Sequence, residues 1–207
     1  MALSNKSVRN QYFESLGIDP DSVVSCVQSH SQEVLLADPH NNFRKEYPAD
    51  GLLTMDHSLF LSVTVADCLP VFLYDAGTGG FAIVHSGWKG TGIALHALML
   101  MEETWGTAPE QVSVLLGPCI HACCYQVEES RARFFAEKYG AESIRNEGSA
   151  FFLDMQQANI RLLTGAGVAH IGVCENCTFT DESFGSFRRQ GPQYTRMAAV
   201  IGPFIFS

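Results

Sequence analysis

Two imidazoles and one thiol stand at places in this 207-residue chain where they could share a metal ion. His30 follows an apolar run at 22–27, Cys68 follows another at 59–66, and His85 closes a third at 81–85. Strand ends are where a rigid sheet presents side chains to a cleft. Cys68 and His85 are 17 positions apart with the turn A-G-T-G-G between them, so a single hairpin-like unit could bring both to one point. A donor set of two imidazoles and a thiolate suits zinc or copper. Three protein ligands leave one position open, the arrangement of a catalytic site and not of a closed structural one. Each of the three also has a plainer reading, because a single buried His or Cys is commonly a satisfied core residue.

Positioning these groups requires short strands and flanking helices, and the sequence supplies both. Ser4 is placed to cap a helix in which Val8, Tyr12 and Leu16 recur every fourth residue, with Gly17 as its stop. Segments 22–27 and 32–36 read as strands, with D-P-H-N-N at 38–42 and P-A-D-G at 48–51 as turns. The apolar centre, 59–66, 71–74 and 81–85, is rich in β-branched and large residues and reads as strands of a buried sheet. A helix is expected over 93–104 and a strand over 112–116; helices follow near 127–139 and 154–164, then strands at 168–173 and 196–201. The fold class expected is α+β: one domain spanning 1–207, with mixed β-sheets flanked by helices. Periodicity does not fix the strand order.

Composition narrows the function. Thirteen Lys+Arg against 22 Asp+Glu leave a net charge of −9, which argues against a phosphate-neutralising face for long nucleic acid while permitting a local basic pocket. No apolar run approaches the ~18–20 residues that cross a bilayer, and the first residues lack the apolar stretch of a secretory signal, so a cytoplasmic protein is expected. Seven cysteines, an odd number, read as free thiols in a reducing compartment. Cys174 and Cys177 have zinc-knuckle spacing without a second pair. Cys119, Cys123 and Cys124 surround His121 as a soft-metal or oxidation-prone patch, and packing is the expectation for both groups.

Several ordered motifs make the chain similar to a known family. T-V-A-D-C-L-P-V at 64–71, A-I-V-H-S-G-W-K-G-T at 82–91, L-G-P-C-I at 116–120 and C-Y-Q-V at 124–127 resemble the YfiH/laccase-domain family, formerly the multicopper polyphenol oxidase group. C-T-F-T at 177–180, F-R-R at 187–189 and T-R-M-A at 195–198 extend the resemblance from about residue 22 to the end. The R-x-G-G-V-S and S-L-N-L stretches that usually open such proteins have no counterpart before residue 22. The resemblance implies a YfiH-like fold, shared with certain toxin deamidases, and a metal held by His30, Cys68 and His85. It also implies metal-dependent purine nucleoside phosphorylase activity on adenosine, inosine and methylthioadenosine, with adenosine deamination alongside. The expected cofactor is Zn2+, with Cu2+ as the alternative. The expected partners are a purine nucleoside and phosphate, with a homodimer left open.

Physical chemistry assigns roles around that centre. Phosphorolysis needs a cationic phosphate cradle, for which Lys89, Arg188, Arg189 and Arg196 are candidates, each with an ordinary solvated-charge reading beside it. Asp67 could orient a histidine ligand or act as general base, and it could equally cap a turn. Trp88 could stack on a base or belong to the core. Laccase-like oxidation of phenols fits less well, because none of the seven histidines forms the H-x-H pair of a multicopper cluster. A metal-free enzyme with Cys68 as nucleophile and His85 as base, and a binding module without turnover, are the remaining classes.

Overall fold

A computed structural model describes residues 6–38 and 48–203. The first helix and strands are α1 (Lys6–Ser15), β1 (Val23–Ser25), β2 (Val34–Leu36), β3 (Gly51–Thr54), β4 (Phe60–Val65), β5 (Leu69–Asp75) and β6 (Phe81–Ser86). They are followed by α2 (Ile93–Trp105), β7 (Val112–Leu116), β8 (Gln126–Val127), α3 (Glu129–Tyr139), β9 (Ile144–Glu147) and β10 (Ala150–Leu153). The chain then forms α4 (Met155–Gly165), β11 (His170–Val173), α5 (Phe187–Gln190) and β12 (Met197–Ile201).

The main sheet has six strands in the order β11-β7-β5-β6-β3-β2. Its centre is antiparallel and its outer pairs, β11 with β7 and β2 with β3, are parallel. A three-stranded sheet, β1-β4-β12, packs on one face, and a smaller one, β8-β10-β9, is hydrogen-bonded to neither while its Leu153 joins the main core. Every residue of β6 is buried, as a strand covered on both faces must be. Alternation sorts its side chains. Ala82 and Val84, with Leu53, Leu69, Val71 and Leu73, meet Ile93, Ala97, Leu98 and Met101 of α2. Phe81 and Ile83, with Leu52, meet Leu61, Val63 and Val65 of β4. The expected mixed-sheet α+β class is therefore observed, with helices on one face of the main sheet and a second sheet on the other.

Local chemistry sets the hairpin that matters for the site. Asp75 is fully buried, and its carboxylate accepts hydrogen bonds from the Gly77 N–H (2.8 Å) and the Thr78 hydroxyl (2.7 Å), closing the β5–β6 turn. The resulting register sets Pro70 opposite His85 and Leu69 opposite Ser86, so Cys68 emerges beside His85 as the hairpin reading expected. Helix α2 ends at Gly106, whose positive φ of 70° lets its N–H return to the Glu102 carbonyl.

Two readings need correction. In α1 the buried residue is Phe13 (1 % exposed), whereas Tyr12 and Leu16 are 41 % and 47 % exposed. The helix docks through Phe13 on the β1-β4-β12 sheet, so a full apolar stripe is not required. The Ser4 cap and most of the turn at 38–42 lie outside the described residues. P-A-D-G does not turn the chain away: Gly51 begins β3, where an added Cβ would come within 2.7 Å of Val84 and 3.0 Å of Val34. Glycine here permits close strand approach, which local sequence cannot distinguish from a turn.

Candidate metal centre and its cleft

His30, Cys68 and His85 come together. One ligand atom from each lies within 4.8 Å of the other two, and the imidazole centroids of His30 and His85 are 4.9 Å apart at 78°. His85 is buried at the end of β6, Cys68 is half-buried before β5, and His30 is exposed in the loop after β1, so the group opens outward on one side.

One carboxylate holds two of these ligands. Oδ1 of Asp50 lies 2.8 Å from Nδ1 of His85, which leaves Nε2 as the free ligand atom. Oδ2 accepts from the N–H groups of Ser29 (3.0 Å) and Ser31 (2.7 Å), on either side of His30, and from the Ser31 hydroxyl (2.9 Å). Between those two amides His30 adopts a left-handed φ of 61°, and Asp67, next to Cys68, has φ 80°. Such backbone is sparsely populated by residues other than glycine and persists where surrounding contacts over-determine it. Gly87 completes the cradle: a Cβ there would sit 2.9 Å from Cys68 Sγ and 3.4 Å from the His30 ring.

The electrostatics follow from this packing. Burial would raise the Cys68 thiol, but hydrogen bonds and charge from His30 and His85 outweigh it and hold the group at about 7. Burial would lower His85, yet its contacts with Asp50 and Cys68 raise it to about 9. Asp50 is held well below the usual carboxylate range; burial opposes this, and His85 with the serine donors overrides it. A lowered thiol beside two imidazoles, one of them oriented by a carboxylate, is a donor set that fits zinc or copper.

The cluster lies in a cleft of about 690 Å³. Asp67, Trp88, Arg188 and Arg196 line it, as do Tyr125, Arg131, Phe187 and Tyr194, which the sequence reading did not single out. Arg131 covers the Trp88 ring at 4.3 Å, Arg188 lies 5.2 Å from the Tyr125 ring, and Arg196 lies 5.4 Å from the Tyr194 ring. Phe187 and Tyr194 meet edge to face at 5.1 Å. Tyr125 stood within a quoted motif; Arg131 had only the signal of an ordinary helix charge.

Other expectations divide. Asp67 does not orient either histidine; that position belongs to Asp50, because the Gly51–Val84 register sets Asp50 beside His85. Asp67 accepts instead from the Thr178 hydroxyl (2.7 Å) and the Arg188 N–H (2.7 Å), tying three of the sequence motifs together. Arg189 is not part of the cleft. Its guanidinium donates to the carbonyls of Thr178 (2.6 Å), Phe179 (2.7 Å), Asp181 (3.3 Å) and Phe184, folding the loop before α5 around itself. Lys89 is exposed beyond Trp88, with Nζ 5.6 Å from that ring, and is not among the cleft-lining residues. Trp88 lines the cleft and also packs against the main core.

Known proteins resemble the chain in sequence and in fold. A purine nucleoside phosphorylase of Corynebacterium glutamicum is 34 % identical over 205 residues, covering 94 % of this chain and 80 % of that protein. The purine nucleoside phosphorylase YlmD of Geobacillus stearothermophilus is 33 % identical over 210 residues, covering 94 % and 77 %. The crystal structure of the G. stearothermophilus YlmD superposes with a TM-score of 0.86 at 31 % identity, over 94 % of this chain and 78 % of that one. The Bacillus licheniformis hypothetical protein YfiH gives a TM-score of 0.81 at 29 % identity, over 95 % and 79 %. The family model described as multi-copper polyphenol oxidoreductase laccase matches residues 4–203, further toward the N-terminus than the motifs alone reach. The chain therefore belongs to the multi-copper polyphenol oxidoreductase laccase family, the YfiH/laccase-domain group that its motifs resemble.

Proposed function

We propose that this protein is a metal-dependent purine nucleoside phosphorylase acting on adenosine, inosine and methylthioadenosine, with adenosine deamination as a side activity. The observation that carries this reading is the convergence of His30, Cys68 and His85 in a cleft whose walls also hold Arg131, Arg188 and Arg196 with several aromatic rings. His30, Cys68 and His85 would hold Zn2+, or alternatively Cu2+. When bound, such a cation supplies Lewis acidity that polarises a purine heteroatom and makes the base a better leaving group.

The chain's own residues account for the remaining requirements. Arg131, Arg188 and Arg196 supply guanidinium donors for phosphate, with Lys89 and Arg189 outside that cradle. Tyr125, Phe187 and Tyr194 offer ring faces to the flat purine. Each Asp67 oxygen accepts one hydrogen bond within the protein and keeps further acceptor capacity for a substrate hydroxyl or a proton. Phosphate oxygen then bonds to the anomeric carbon as the carbon–nitrogen bond breaks, and the electron pair leaves with the base. Seven free thiols agree with a reducing cytoplasm, and no helix among the described residues is long and apolar enough to cross a membrane.

The test is release of hypoxanthine from inosine and adenine from adenosine, with and without phosphate, on untagged protein of measured metal content. Phosphate-dependent base release supports the reading, and no product from either nucleoside overturns it. A second reading, a metal-free Cys68–His85 enzyme, is favoured by the lowered Cys68 thiol. It requires activity that survives chelation and is lost on alkylation of Cys68.

A further inference from the structure

Three more thiols converge away from the cleft. Cys123 and Cys124 lie in the turn before β8, and Cys177 lies in the loop after β11. Their sulfurs all lie within 4.8 Å of one another, with Cys123 and Cys177 at 3.7 Å. Two thiolates bound to one tetrahedral Zn2+ at ~2.3 Å are separated by ~3.8 Å, close to the observed spacing. A disulfide would need ~2.05 Å. We propose that Cys123, Cys124 and Cys177 form a second metal site, a three-thiolate site for a soft d10 cation of the Zn2+ class, sharing no ligand with His30, Cys68 and His85.

The surroundings favour the thiolate at Cys177, whereas burial and the neighbouring sulfurs raise Cys123, to about 12, and Cys124, so a bound cation must displace their protons. Cys177 is buried and accepts a hydrogen bond from the His121 N–H at 3.4 Å, and its loop is pinned to Cys119 through a β-bridge. Burial acts to raise Cys177, but amide donors from His121, Thr180 and Phe179 reverse this and lower it. Arg145 donates to the Ala122 carbonyl at 3.0 Å and pairs with Glu147 at 3.2 Å, and its charge favours the Cys124 thiolate without overcoming the burial that raises that thiol. Cys123 is exposed, so an ion can enter and leave on that side. Cys174, whose spacing from Cys177 is that of a zinc knuckle, turns its thiol to Asn176 at 3.3 Å.

The experiment uses Cd2+ as the probe on reduced, metal-stripped, full-length protein. Wild type should bind two equivalents, with near-ultraviolet thiolate-to-cadmium absorption corresponding to one thiolate at the first site and three at the second. Cys68→Ser should remove the one-thiolate contribution and leave the three-thiolate one. Cys123→Ser and Cys124→Ser, at exposed and half-buried positions, should each weaken the second equivalent at least tenfold, with far-ultraviolet circular dichroism unchanged. Cys174→Ser should leave both equivalents intact. A wild-type protein that shows no three-thiolate absorption overturns the proposal, as does a second equivalent that survives both Cys123→Ser and Cys124→Ser.

Discussion

Asp50 and His85 meet at 2.8 Å between a carboxylate oxygen and Nδ1, while the His85 N–H donates to the Asp50 carbonyl at 2.7 Å. The same carboxylate also fixes the amides flanking His30, so a single buried side chain sets the positions of both imidazoles. Loss of that support should be felt at the metal before it is felt in the fold as a whole.

Asp50→Asn keeps the size of the side chain but removes its charge and one acceptor. Metal affinity is expected to fall by about 10- to 100-fold, the usual cost of losing a partner that orients a ligand. Competition against a chelator of known affinity measures this, and an unchanged affinity would contradict the role assigned to Asp50.

Gly87→Ala tests the packing of the ligands. Its Cβ would lie 2.9 Å from Cys68 Sγ, so the sulfur or the H-S-G-W loop must shift, with an expected destabilisation of ~1–3 kcal/mol and weaker metal binding. Gly165→Ala, at the end of α4 with no atom within 4 Å of the added methyl, should be neutral or slightly stabilising. Urea midpoints for the two variants should separate in that direction.

The arginines should sort by where their guanidinium groups point. Arg196→Ala and Arg131→Ala are expected to raise the KM for phosphate at least tenfold with little change in melting temperature. Arg189→Met should instead lower stability, by ~1–3 kcal/mol, because several loop carbonyls lose their donor. Phosphate KM and thermal midpoints measured on the same preparations check the split.

In the metal-stripped protein the ionisation of His85 should show in stability against pH once the opposing thiol is removed. His85 is raised from its ordinary value of 6.5 to about 9, so its contribution is fully present below 6.5 and disappears as pH rises through 9. Asp50 is lowered, so its contribution is present above ~3.8 and is lost on further acidification. Cys68 is lowered from 9.0 to about 7 and gains over this interval what His85 loses, so denaturant midpoints should stay nearly level between pH 7 and 9 in the wild type, decline there in Cys68→Ser, and decline less when Asp50→Asn is added to that variant. An equal slope with and without Asp50→Asn would show that the pair does not govern it.

Much of the architecture could be read along the chain. The strands at 60–65, 69–75, 81–86 and 112–116 and the helix at 93–105 emerge from apolar runs and strong helix formers, and the structure places them with boundaries shifted by only a few residues. The hairpin between β5 and β6 is written in its turn, and through it the approach of Cys68 to His85. The polar hairpin of β9 and β10 was missed, since R-N-E-G-S-A carries no apolar alternation.

Residue type and spacing made His30, Cys68 and His85 candidate ligands, because donor chemistry belongs to the side chain and strand ends are marked locally, and the ordered family motifs raised that reading above core packing. Tertiary structure decided who supports them and what surrounds them. Asp50 reaches His85 only because β3 pairs with β6 across 35 positions of sequence, and Arg188 reaches the cleft while Arg189 turns away because adjacent residues of a helix point in different directions. Cys123 and Cys177 stand 54 positions apart, and no period in the chain announces their contact. Such pairings are set by strand register and loop closure, which depend on burial summed over the whole core and not on any local pattern.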